Sequence, residues 1–234
     1  MIRLRWITLL TGAPDEVCEQ IVEHLGLSRC HHEDEVMDFG LSSTVFPLGT
    51  DQFLEISAPV RDDASPARQL RRTGPGVYML VFQVEELDSH RRRLAAQQVR
   101  IVGDFDEQFP RGRWRSLHLH PADVGGAIVS LDTSDPPDDF TAMASPWREH
   151  VRNHVVDELT GVELRAADPT ALSRRWSSAL GVIPRDGVLA LDDAEVRFAS
   201  SDGRGRVHVV DLRATDRGSA GKSFTLAGTT FRLV

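Results

Sequence analysis

LRWITLLTGAPDEVCEQIVEHLGL (4–27) and LTGVELRAADPTALSRRWSSALGV (159–182) align without a gap, with Leu4 over Leu159, Pro14 over Pro169 and Leu25-Gly26 over Leu180-Gly181. Internal similarity of this kind marks a repeated supersecondary unit. Each copy reads as strand, turn, helix and glycine stop. Pro14 and Pro169 suit the first helical position, where a missing N–H costs nothing. Asp168 is a side-chain cap for the second helix. Val17, Ile21 and Leu25, like Leu172, Trp176 and Leu180, recur every four residues and give each helix one apolar stripe. Gly26 and Gly181 fit a left-handed stop.

VYMLVFQVEELDSHRRRLAAQQVRIV (77–102) is a fainter third copy, with Leu87 and Leu94 on its helix. Short alternating segments follow the first and third helices: EVMDFG, STVFPL and DQFLEIS, then VRIV, WRSLHLH and AIVSL. RVHVVDLRATD…SFTLAGTTFRLV (206–234) is a truncated fourth copy. The repeating unit is thus strand–helix–strand–strand–strand, and the expected class is α+β with tandem βαβββ units. RDDASPARQLRRTGP (61–75) joins the first two units. DTSDPPDDFTAMASP (132–146) reads as linker from its Pro, Asp and Ser content. SPWREHVRNHVVDEL (145–159) reads as a short helix capped by Ser145, with Pro146 at its first position. These breaks predict one domain over 1–132, a linker with a short helix over 133–154, and a smaller divergent domain over 155–234.

The chain has 234 residues, 41% hydrophobic and 26% charged, with a formal charge of −8. That balance is ordinary for a globular protein and argues against a nucleic-acid partner, which needs a basic footprint. RRTGPG (71–76) and RGRWR (111–115) are local basic islands, read as solvated loops and strand ends. Two cysteines, Cys18 and Cys30, do not make a disulfide framework, and the expected compartment is the cytoplasm. No run approaches the apolar length of a membrane span. MIRLRWITLL is short and charged for a signal peptide and reads as a first strand.

Four stretches in order, WITLLTGAPDEVCEQIVEHLGL, FLEISAP, GPGVYMLVFQVEELD and HPADVGGAIVSLD, resemble the vicinal-oxygen-chelate superfamily of glyoxalases, epimerases, extradiol dioxygenases and bleomycin-resistance proteins. The resemblance covers nearly all of the first domain. It implies paired βαβββ units whose sheets curl into a cup, a small-molecule ligand in the cup, and homodimers as the family's habit. Metal-dependent members hold a divalent ion through four side chains. The resemblance places those four positions on Trp6, Glu55, Met79 (Tyr78 if the frame slips by one) and Ser130. Only Glu55 retains a plausible ligand, and a lone carboxylate holds a divalent cation poorly. No metal and no cofactor are therefore expected. The same frame in the second domain gives Gly161, Arg197, Arg232, and His208 or Val209; Arg197 and Arg232 would repel a cation and could cradle an anion.

Strand alternation agrees with this placement. Ile7 and Leu9, Leu54 and Ile56, and Leu80 and Phe82 form apolar pairs, and Trp6, Glu55, Met79 and Ser130 fall on the opposite parity. Glu55 is the candidate catalytic base, and Trp6, Tyr78, Met79, His118 and Ser130 are candidate ligand-lining residues. His118 with His120 and His150 with His154 have metal-like spacings, yet a His-Pro turn and a solvated helix face account for them. His31-His32 reads as a solvated loop, and Cys18 as a buried inert thiol. The leading reading is a glyoxalase-like protein that binds a small organic molecule in the first cup without the usual metal. Two others stand beside it: a metal-dependent isomerase, epimerase, lyase or dioxygenase with unusual ligands such as Glu55 and His118, and a scaffold whose cups have decayed.

Overall fold

The computed structural model describes residues 1–36, 39–137, 146–216 and 218–234. In chain order the elements are β1 (Ile2–Leu10), α1 (Pro14–Leu25), β2 (His31–Glu33), β3 (Leu41–Leu48), β4 (Gln52–Pro59), α2 (Ser65–Thr73), β5 (Gly76–Val84), α3 (Leu87–Ala96), β6 (Ile101–Phe109), β7 (Gly112–Leu119), α4 (Pro121–Val124) and β8 (Ile128–Asp135). A 3-10 turn at Trp147–His150 leads to β9 (Val156–Ala166), α5 (Pro169–Leu180), β10 (Val188–Ala190), β11 (Glu195–Ser200), β12 (Arg206–Ala214), β13 (Ser223–Leu226) and β14 (Thr229–Leu233). The α+β class is as expected: two tandem βαβββ segments precede a shorter copy, and among the described residues the strands form mixed sheets of eight and six. No helix among the described residues is long and apolar enough to cross a membrane.

The repeated helices form for the reasons legible in their sequence. Pro14 and Pro169 each occupy the first turn, and Asp168 Oδ1 accepts from the Ala171 N–H at 2.8 Å. Val17, Cys18, Ile21 and Leu25 are the buried stripe of α1, and Leu172, Trp176 and Leu180 lie in that of α5. Gly26 and Gly181 end the helices at φ 65° and 75°, the left-handed region where a Cβ is penalised. At Gly26 a Cβ would also fall 2.3 Å from His154 Nε2, so that position needs glycine twice over.

Close contacts group the chain into two compact units. One comprises Trp6–Tyr78, Ser145–Leu159 and Val209–Val234. Within it β2, β3, β4 and β1 are successive neighbours, with β4 antiparallel to β3 and parallel to β1, and β14 lies between β12 and β13. Ile7, Leu9, Leu54, Ile56 and Ile21 fill its core, and Trp147 is fully buried with its ring edge on Phe53, 4.9 Å between centroids. Gln52 ties two of this unit's chain segments together: its side chain donates to the Leu159 carbonyl at 3.0 Å and accepts from the Leu159 N–H at 2.8 Å.

The other unit comprises Met1–Arg5, Met79–Ala144 and Thr160–His208. Here β5, β8, β7 and β6 are successive neighbours, and β11 lies between β10 and β9. Leu80, Phe82, Val129 and Leu131 are buried, and Trp176 of α5 sits with Phe82 on one side and Phe198 on the other. Arg93 of α3 donates to the carbonyls of Ser178 and Ala179 at 3.2 and 2.7 Å. Those are last-turn carbonyls of α5 that have no partner inside the helix.

Several segments differ from expectation. Residues 65–73 form α2 although only Pro66 and Ala67 are buried there; so small an apolar face gives little periodic signal. The helix expected over 145–159 is a single 3-10 turn at Trp147–His150, because Trp147 anchors the chain and the alternation from Val156 belongs to β9. Its proposed cap, Ser145, lies outside the described residues, as does most of the 132–146 linker; Asp132 to Asp135 continue β8. His31 and His32 stand on β2 rather than in a loop, with His32 Nδ1 2.9 Å from Thr44 Oγ1. The fourth copy has no helix among its described residues.

Candidate functional site

Glu55 lies in the middle of β4, beside Thr8 of β1 and Val45 of β3. Its Oε2 accepts from Trp6 Nε1 at 2.9 Å and from Thr8 Oγ1 at 2.5 Å, and its Oε1 accepts from Ser43 Oγ at 2.5 Å. A carboxylate offers about four acceptor directions, so three are committed and the group is held in one orientation. Trp6 and Thr8 are two apart on β1 and share a face. Trp6 packs on Phe53 with 4.8 Å between ring centroids, which fixes the indole. Thr8 and Ser43 are buried, whereas Trp6, Glu55 and Tyr78 are only partly so. Burial first, and then the charge of Glu55, push the Tyr78 phenol above its ordinary value. Two residues beyond Glu55 on the same strand face, the buried Ser57 hydroxyl has no hydrogen-bond partner.

Met79, His118 and Ser130 fall in the other compact unit, where a second carboxylate organises them. Asp132 Oδ2 accepts from Trp114 Nε1 at 2.7 Å, and Oδ1 accepts from Ser116 Oγ at 2.8 Å and from Ser130 Oγ. The two serine hydroxyls lie 2.7 Å apart. Ser130 is fully buried in this network and Asp132 is 2% exposed. Burial pushes the Asp132 carboxyl up to about 6, against the pull of its three hydrogen bonds. On β7, His118 stands opposite Ser130, with its ring 4.8 Å from that of Phe105; burial holds its imidazole down to about 4. Phe105 also stacks with Trp114, 6.0 Å between centroids. Met79 is half-buried in register with Ile128.

The registers show how the two clusters correspond. In one unit Ile7 pairs with Leu54, Ser43 with Ser57 and Val45 with Glu55; in the other Leu80 pairs with Val129, Ser116 with Asp132 and His118 with Ser130. Ser130 therefore does occupy the position of Glu55. The carboxylate of that half lies two residues further along, where the first half has Ser57. Ser43 and Ser116 are equivalent donors, but the indoles come from different strands, Trp6 from β1 and Trp114 from β7. Thr8, Ser43, Trp114, Ser116 and Asp132 did not emerge from sequence reasoning. For Thr8, Ser116 and Asp132 the signal was present: each lies two residues from a residue already selected.

The remaining candidates have structural partners. Arg232 forms a two-pronged pair with the buried Asp211 at 2.7 and 3.0 Å, and Arg197 lies 3.6 Å from Glu195. His208 is held below its ordinary value by partial burial and then by Arg206 and Arg165, while Gly161 lies in β9 opposite Glu195. His120 caps α4, its Nδ1 accepting from the Ala122 N–H at 3.1 Å. Cys18 is buried, and desolvation raises its thiol. In the basic island at 111–115, Arg113 and Arg115 pair with Asp106 and Asp88 on the surface.

The donor set around Glu55 does not fit the divalent centre of metal-dependent relatives. Its neighbours are an indole N–H, which can only donate, and two hydroxyls already directed at the carboxylate. No group of three His, Cys, Asp or Glu side chains among the described residues is placed to hold a metal ion.

A glyoxalase-like domain family matches residues 7–180. No curated protein matches the chain. Among solved structures, a hypothetical protein from Staphylococcus aureus superposes with a TM-score of 0.74 at 11% identity, covering 100% of this chain and 99% of that one. A methylmalonyl-CoA epimerase variant from Streptomyces coelicolor, in complex with 2-nitronate-propionyl-CoA, gives a TM-score of 0.51 at 22% identity over 58% of this chain and 97% of that one. Methylmalonyl-CoA epimerase from Mycobacterium tuberculosis is 28% identical over 55% of this chain and 85% of its own, with a TM-score of 0.48. At such identities the first two likenesses are likenesses of fold.

Proposed function

Because the chain belongs to the glyoxalase-like domain family, we propose that it binds a small organic molecule at the Glu55 face of its first sheet, without the divalent metal of metal-dependent relatives. The observation that carries this reading is the Glu55 carboxylate itself, held by Trp6, Thr8 and Ser43 while remaining partly exposed, with the Tyr78 phenol near enough to feel its charge. Such an arrangement suits binding pockets, which combine apolar and aromatic walls with a few fixed polar groups. Trp6 supplies a flat wall for a planar or acyl body. Glu55 supplies an oriented acceptor for the ligand's polar end, and a base if a proton is to be moved. Tyr78 closes the wall on the side where it senses the charge of Glu55.

Two measurements test the proposal together. A calorimetric screen of small carbonyl, acyl and aromatic compounds should yield ligands whose binding weakens in Trp6→Ala and changes in Glu55→Gln. Elemental analysis of protein purified without added metal should find no stoichiometric divalent ion. About one equivalent of zinc, nickel, iron or manganese, lost in Glu55→Ala, would replace this reading with that of a metal-dependent isomerase, epimerase, lyase or dioxygenase. Ligands indifferent to both substitutions would move the site away from Glu55, towards Arg197 and Arg232.

A further inference from the structure

The charge around Glu55 narrows the ligand class. All three hydrogen bonds to the carboxylate come from neutral donors, an indole N–H and two hydroxyls. Among the described residues no Lys, Arg or His forms an ion pair with it. Asp211, Asp104 and Asp123, by contrast, are each matched by an arginine, Arg232, Arg91 and Arg100. Neutral donors orient a carboxylate without cancelling its charge, so the site presents a net negative charge to whatever enters. Two further features point the same way. Trp6, whose N–H fixes the carboxylate, is the aromatic side chain best suited to hold a cation over its ring. Ser57, two residues along the same face and 1% exposed, carries a hydroxyl oxygen with no hydrogen-bond partner. It is an acceptor about 6.6 Å along the strand from Glu55, and buried polar atoms of this kind are ordinarily matched by a protein, water or ligand group.

Resting on the proposed binding site, we infer that the Glu55 site selects an organic cation, an ammonium or amidinium group on a planar or apolar body, over neutral and anionic ligands of the same shape. The N–H groups of such a cation meet the open acceptor direction of Glu55 and the Ser57 oxygen, and its body lies against Trp6. A carboxylate or phosphate ligand would meet an uncompensated like charge in a partly desolvated place, where repulsion is stronger than in water.

Benzamidine, benzamide and benzoate share one body and differ in charge, so calorimetry with these three probes at pH 7.5 and fixed ionic strength tests the inference. The expected order is benzamidine over benzamide over benzoate, with benzamidine at least about tenfold tighter than benzamide. Glu55→Gln should bring those two probes within about threefold of each other, and Ser57→Ala should weaken benzamidine alone; melting curves of each variant establish that it is folded. Preferred binding of benzoate overturns the inference, as does a benzamidine preference that survives Glu55→Gln. If benzamide and benzamidine bind equally and Trp6→Ala weakens both, the binding site stands and the cation selectivity falls. If no probe binds and the wider screen finds no Trp6-dependent ligand, both fall.

Discussion

The indole N–H of Trp114 lies 2.7 Å from Oδ2 of Asp132, repeating in the second half of the fold the bond that Trp6 makes to Glu55 in the first. The two carboxylates differ in exposure. Glu55 is partly open, whereas Asp132 is sealed at 2% with no cation among its partners. The first is suited to meeting a ligand and the second to storing a proton.

Asp132 should therefore make folding stability depend on pH with an unusual sign. Its carboxyl moves from 3.8 to about 6 on folding, so the native state binds the proton more tightly than the unfolded chain. The stabilisation is full below 3.8 and is lost as pH rises through about 6. Two units correspond to about 3 kcal/mol. Denaturant unfolding at pH 4 and pH 7 should show wild type losing roughly that much more on raising the pH than Asp132→Asn does. An identical pH dependence in both proteins would mean that folding leaves the affinity of Asp132 for its proton unchanged.

His118 works in the opposite direction. Burial lowers its imidazole from 6.5 to about 4, so its contribution is full above 6.5 and is lost as pH falls towards 4. The opposing windows of His118 and Asp132 overlap between about pH 4 and 6. Replacing His118 with Gln should make the protein relatively more stable in acid than wild type. Tracking the His118 ring protons by NMR as pH falls should give a midpoint well below 6; a midpoint near 6.5 would refute the assignment.

Trp6→Ala should weaken any ligand of the Glu55 site by about 1–3 kcal/mol, the scale of a lost large apolar contact. Glu55→Gln should leave the melting temperature nearly unchanged while altering ligand choice, because it keeps the side chain's size and most of its accepted hydrogen bonds. Calorimetry on the two variants separates these effects. Trp114, Trp147 and Trp176 would blur a fluorescence readout.

The proposed boundary between 1–132 and 155–234 predicts that a chain ending near residue 140 still shows mixed α/β circular dichroism. That chain lacks Leu159, both partner groups of the buried Gln52 side chain, and Trp176, which covers Phe82. It should melt cooperatively but at a lower temperature. In the full chain, Gln52→Leu should cost about 2–4 kcal/mol by leaving the Leu159 N–H and carbonyl unpaired. Complete loss of cooperative unfolding in the truncated chain would place both halves in one folding unit.

The helices were legible in the sequence because their signals are local: a proline in the first turn, a four-residue stripe and a glycine stop at Gly26 and Gly181. The face of each strand was legible from alternation, and Ile7, Leu9, Leu54 and Ile56 are buried as that alternation requires. The partners on the opposite face were not. Ser43 reaches Glu55 from a neighbouring strand, and strand register is a long-range property that periodicity does not encode. Asp132 carries no signal of its own in the sequence, because the position equivalent to Glu55 lies two residues before it. In this half that position is Ser130, a donor to the carboxylate two residues away. α2 was hidden for another reason: its buried face is only Pro66 and Ala67.

That two-residue offset bears on how such a protein can change. Moving an acid from one position to the next on the same strand face displaces it by about 6.6 Å and leaves the opposite, core-facing residues untouched. Ser and a carboxylate can trade places along β4 or β8 while Leu54, Ile56, Val129 and Leu131 pack as before. A duplicated sheet of this kind is a rail along which charge can be repositioned in steps of two. In one copy the acid sits sealed at Asp132, and in the other it stays partly open at Glu55.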